Sequence, residues 1–121
     1  MRIQFLAAPV LLLCSAFGGC GGSTALAASD LFGAWHEVGA AEHGHVVEFD
    51  AKSTKFLVHG PGPGGHDTHD HFAGQYEVRD QEVVLTGAWE SNDKAEVVRG
   101  TLRDGTLQLR FAAKPIDFRR R

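Results

Sequence analysis

From residue 31 onward, apolar and polar side chains alternate in short runs, and Gly, Asp, Asn or Pro interrupts each run within about a dozen residues. A period of two sends successive side chains to opposite faces of a strand, and no stretch sustains the 3.6-residue period of an amphipathic helix. The chain is thereby confined to an all-β fold. The strand-like runs cover 31–38, 46–50, 55–59, 72–79, 82–86, 95–103 and 106–112. Val47 and Phe49 face one way on the second run, and Phe72, Gly74, Tyr76 and Val78 share a face on the fourth.

The turns carry as much information as the runs. Residues 51–54 join one hairpin, Asp80-Gln81 a second and Asp104-Gly105 the last. Asp-Gly is a strong hairpin signal, because a type I′ turn needs positive φ at both central positions. A weak internal repeat aligns residues 78–85 with 102–109, each a strand end, an Arg-Asp turn and an outgoing strand. Sequential hairpins of about 7–8 short strands form an antiparallel up-and-down meander. Closing that meander into a small barrel removes its exposed edges.

The first 27 residues have a different character. One positive charge at Arg2 precedes an apolar run from Phe5 to Phe17, interrupted only by Pro9 and Ser15, and small residues follow. This is the pattern of a secretion signal. A membrane span would need roughly 20 apolar residues, and Gly18 to Gly22 ends the run too early. Two processing sites are open. Cleavage after Ala25-Leu26-Ala27 would release a soluble periplasmic or secreted protein beginning at Ala28. Alternatively, Phe17-Gly18-Gly19-Cys20 resembles the lipobox of bacterial lipoproteins, which implies a lipid anchor at Cys20 with residues 21–29 as tether. The second is preferred, since Cys20 directly follows the apolar run. By the same resemblance, Gly21 after the cysteine implies sorting to the outer membrane, with the domain facing the periplasm.

Residues 30–121 then form one domain. Cys14 and Cys20 are the only cysteines, so this domain holds no disulfide although an exported protein would be permitted one, and its stability must come from a core. After residue 27 there are 11 Lys and Arg against 15 Asp and Glu, a balance that argues against nucleic acid as a partner. Residues 28–82 hold three basic and ten acidic side chains, and 83–121 hold eight and five. Strands from the two segments interleaved in one barrel would mix these charges in space.

All seven histidines fall between His36 and His71. Residues 59–71 combine a Gly- and Pro-rich stretch, unsuited to helix or strand, with four of them, and read as a long surface loop. His69 and His71, like His43 and His45, place two imidazoles on one side of the backbone if the chain is extended. Together with His59, His66, Asp67 and Asp70 they form a candidate set for Zn, Cu or Ni.

Leu31-Phe32-Gly33-Ala34-Trp35 resembles the L-x-G-x-W first strand of lipocalin-like barrels, and 74–78 followed by 83–85 looks like the middle hairpin of small bacterial lipocalin-like domains. The resemblance spans roughly residues 30–120. It implies that Leu31, Gly33 and Trp35 build one end of a barrel, with Arg119 or Arg120 stacked on Trp35 as a cation–π partner. It also implies a non-enzymatic binding protein. At this chain length the strands are short, which favours an interior filled by its own side chains.

No catalytic residue is expected: there is no G-x-S-x-G, no H-E-x-x-H and no phosphate-binding glycine loop. Three binding modes stay open. The barrel holds an apolar small molecule, the histidine cluster holds a divalent metal, or the domain acts on a protein as periplasmic protease-inhibitor barrels do. The membrane enters only through an anchor at Cys20.

Overall fold

The computed structural model describes residues 25–40, 43–62 and 69–121. Eight strands follow in chain order: β1 (Gly33–Glu37), β2 (Val46–Phe49), β3 (Lys55–Gly60), β4 (Asp70–Arg79), β5 (Glu82–Trp89), β6 (Ala95–Arg103), β7 (Thr106–Arg110) and β8 (Pro115–Arg119). Each pairs antiparallel with its neighbour in sequence, and β8 returns to β1, giving a closed up-and-down barrel. The closing seam is short. It registers His36 with Arg119 and Glu37 with Phe118, extended by the Val38 N–H donating to the Asp117 carbonyl at 2.8 Å.

The alternation read in the sequence sorts the interior from the surface. Val47, Phe49, Phe56, Val58, Phe72, Tyr76, Leu85 and Val98 are buried, while their neighbours in sequence, Val84 excepted, are exposed or half-buried. The middle of the barrel is therefore packed with side chains. A sequence reading that ends the last hairpin at residue 112 is corrected by β8, whose Ile116 and Phe118 are core residues. Pro115 opens that strand, a position where a missing N–H removes no obligatory ladder bond. β5 runs on to Trp89, past the expected end at 86.

Turn chemistry matches geometry. Asp104 and Gly105 have φ of 50° and 78°, the two positive values a type I′ turn requires. Gly74 and Gly87 face each other across β4 and β5, and a Cβ on either would run into the backbone of the other strand, at Thr86 or at Ala73. This close approach lets the longest hairpin coil tightly around a narrow barrel.

The two ends differ. The 50–54, 80–81 and 104–105 turns and the chain on either side of the barrel gather at one end. Here a single 3-10 turn, Ala28–Asp30, lies ahead of β1, and Leu31 and Trp35 are buried. The Trp35 indole N–H donates to the Leu31 carbonyl at 2.9 Å. The Arg120 guanidinium sits 4.2 Å from the centre of the Trp35 ring and donates to the Phe32 and Asp30 carbonyls at 2.7 and 2.9 Å. Of the two arginines expected there, Arg120 takes the stacking position, while Arg119 points away and donates to Thr106 Oγ1 at 3.0 Å. Leu26 packs against the core at this end, and its N–H donates to the Asp80 carbonyl at 2.8 Å.

Candidate functional site

The opposite end carries a cavity. The segments between β1 and β2, β3 and β4, β5 and β6, and β7 and β8 surround a cavity of about 390 Å³ at the barrel mouth. Its floor is apolar. Trp89 stacks on Phe72 with ring centres 5.2 Å apart, Phe111 meets both rings at 6.2 and 6.3 Å, and Ile116 lies beside them. These rings are held in place by polar partners around the rim. Glu96 accepts the Trp89 indole N–H at 3.0 Å with one oxygen and the Ala112 N–H at 2.7 Å with the other, tying the floor to the β7–β8 segment.

His45 performs a similar service on the other side. Its ring stacks on Phe111 at 6.1 Å, with Nδ1 2.8 Å from Glu37 Oε1 and Nε2 2.8 Å from the Pro61 carbonyl. The ring links the end of β1 to the segment after β3. Burial pushes the Glu37 carboxyl upward, but the His45 N–H, the His45 ring and the Lys114 charge outweigh it, so the group lies below its ordinary range. Lys94 and Lys114 also line the mouth, and among the described residues neither takes part in an ion pair.

The expected site residues separate into distinct places. Cys20, His66 and Asp67 lie outside the described residues. Leu31, Gly33 and Trp35 build the closed end; Gly33, at φ 102°, has a conformation that glycine readily adopts. His43 lines the mouth cavity in a turn rather than in extended chain, so it does not form an imidazole pair with His45 along a strand. His59, His69 and His71 come together on the outer wall, with ring centres 6.3 Å apart for His59 and His71, 6.5 Å for His59 and His69, and 5.6 Å for His69 and His71.

Asp70 does not join them. It shares the inward face of β4 with Phe72 and is 2% exposed. Its carboxylate accepts the Ser91 hydroxyl at 2.6 Å, the His71 N–H at 2.8 Å and the Ser91 N–H at 3.1 Å. Burial alone would raise its pKa, yet these three donors together hold it below the ordinary carboxylate value. Asp70 is thus a brace between β4 and the β5–β6 segment, saturated by protein donors.

The sequence reading missed Glu37, Lys94, Glu96, Phe111 and Lys114, which line the mouth from three separated segments. The one signal available was position: each lies at or beside a strand terminus on the same end of the meander. Fold and site together define a small closed antiparallel barrel, sealed at one end by an Arg-capped Trp and carrying a largely apolar cavity at the other. No family model matches the chain, and neither a curated protein nor a solved structure matches it.

Proposed function

We propose that this chain is an exported, non-enzymatic binding protein that takes a small amphipathic molecule, an apolar body with an anionic head, into the barrel mouth. The observation that carries the reading is the cavity itself: it is lined by Trp89, Phe111 and Ile116 together with Lys94 and Lys114, two lysines that take part in no ion pair among the described residues. A dry cavity of about 150 Å³ accepts benzene. The 390 Å³ here is about two and a half times that volume and suits a correspondingly larger body. Because the barrel below the floor is filled, the ligand reaches no deeper than Trp89 and Phe111. Glu37 and Glu96 are occupied by protein donors, which leaves Lys94 and Lys114 to meet the head group.

The test is a fluorescence and calorimetric titration with dodecanoate. The expected result is one saturable site that perturbs Trp89 emission and weakens about tenfold in Lys94→Glu with Lys114→Glu, an electrostatic loss of roughly 1.4 kcal/mol. Absence of saturable binding, or binding indifferent to both lysines, would remove the reading.

The packing of Leu26 supports one of the two readings of how the N-terminus is processed. Cleavage after Ala27 would remove Leu26, which packs on the core and bonds to Asp80. Cleavage at Cys20 keeps it. This favours the lipid-anchored form, whose tether would leave from the closed end, so that the mouth faces away from the membrane.

A further inference from the structure

We infer that His59, His69 and His71 form a binding site for one borderline divalent transition-metal ion on the outer wall of the barrel, separate from the mouth cavity. His59 and His71 are direct partners in the β3–β4 ladder, and both project outward, since Val58 and Phe72 beside them are buried in the core. Directly opposed residues of an antiparallel pair hold their Cβ atoms about 4.5–5.5 Å apart, so the ladder itself fixes two imidazoles side by side. His69 lies two residues before His71 and brings a third ring to within 5.6 Å of His71 and 6.5 Å of His59.

The carboxylates behind the rings point the same way. His71 Nδ1 is 3.1 Å from Glu90 Oε1. A carboxylate only accepts, so Nδ1 carries the hydrogen and Nε2 is left with its lone pair available, the arrangement that orients metal-ligating histidines. Glu48 stands 3.5 Å from His59 Nε2 and offers an oxygen donor on the other flank. Imidazole sets of this kind suit Zn²⁺, Cu²⁺ and Ni²⁺.

The spacing is close to what ligation needs. With metal–nitrogen distances of about 2.0–2.1 Å, three tetrahedrally arranged imidazoles have ring centres roughly 5 Å apart. The observed 5.6, 6.3 and 6.5 Å are slightly wider, and among the described residues no three donors yet converge on one point. Small rotations of the rings close the difference. His69 is exposed and outside the strand, so it moves without disturbing the ladder. Only this one ligand has to be ordered on binding, which keeps the entropic cost low.

The experiment is calorimetric titration of the untagged full chain with Zn²⁺, alongside electron paramagnetic resonance of the Cu²⁺-loaded chain. The expected result is one ion per chain and a Cu²⁺ spectrum with three nitrogen ligands. His59→Gln and His71→Gln each weaken Zn²⁺ binding by at least about tenfold, and Glu90→Gln weakens it by about tenfold through the freed His71 ring. His36→Gln leaves the affinity unchanged. Circular dichroism of each metal-free variant separates a lost ligand from a lost fold, and the Cu²⁺ spectrum of the unsubstituted chain decides the case without any variant. Weak multi-site binding, fewer than three nitrogens, or affinity that survives both His59→Gln and His71→Gln would overturn the assignment.

Discussion

Replacing Arg120 by alanine removes the seal of the closed end while leaving the core intact. The guanidinium lies 4.2 Å from the Trp35 ring centre and donates to two carbonyls of the segment ahead of β1. A cation–π contact at an exposed position contributes about 0.5–1 kcal/mol. Water replaces the guanidinium at the two carbonyls, so each bond is worth about 0.5–1 kcal/mol net. Arg120→Ala should therefore destabilise by roughly 1.5–3 kcal/mol. Arg119→Ala, which loses only an exposed bond to Thr106, should stay within about 0.5 kcal/mol. Trp35→Ala should cost about 3–5 kcal/mol, because the ring is buried and its N–H is satisfied internally. Urea unfolding followed by far-ultraviolet circular dichroism measures all three, and the double variant closes a thermodynamic cycle. A Trp35–Arg120 coupling of about 0.5–2 kcal/mol is expected. A coupling of zero, or equal effects of Arg119→Ala and Arg120→Ala, would refute the reasoning.

Three further outcomes are expected. Gly74→Ala and Gly87→Ala should each destabilise by about 1–3 kcal/mol in the same assay, since the added methyl meets the facing backbone rather than a movable side chain. Asp70 and Glu37 titrate below their ordinary values, so their stabilising contribution is complete above the unfolded values of about 3.9 and 4.3 and is lost as the pH falls through the lower folded values; acid unfolding curves should show this limb, and Asp70→Asn should flatten it. Mass spectrometry of the mature N-terminus should find Cys20 lipidated, and an unmodified terminus at Ala28 would overturn the anchored form.

The barrel was legible because its strands obey one rule, the period of two, and because Asp104-Gly105 permits only a narrow set of turns. The strand that escaped, β8, did so because Pro115 reads as a breaker and because the whole strand, Pro115 included, is only five residues long. At the site, density of histidine was visible but its partition was not. The same parity that identified the core separates Asp70 from His71: Asp70 is two residues from the inward Phe72, so it faces the core as well. Strand extent decided the matter, since β4 begins at Asp70 and not at Phe72. The pairing of His59 with His71 depends on register across the 61–69 connection, which no local pattern specifies. The mouth was hidden for a similar reason. Glu37, Glu96, Phe111 and Lys114 meet only once the meander closes, and the closure depends on the seam between β1 and β8.

The most direct test of the mouth as a ligand site is residue-by-residue nuclear magnetic resonance during titration with dodecanoate. The account predicts saturable shifts at Gly44, Gly62, Glu96, Ala112 and the Trp89 indole, all at the mouth, with Asp80, Asp104 and the Trp35 indole unmoved at the closed end. Shifts centred on the closed end, or none that saturate, would contradict it.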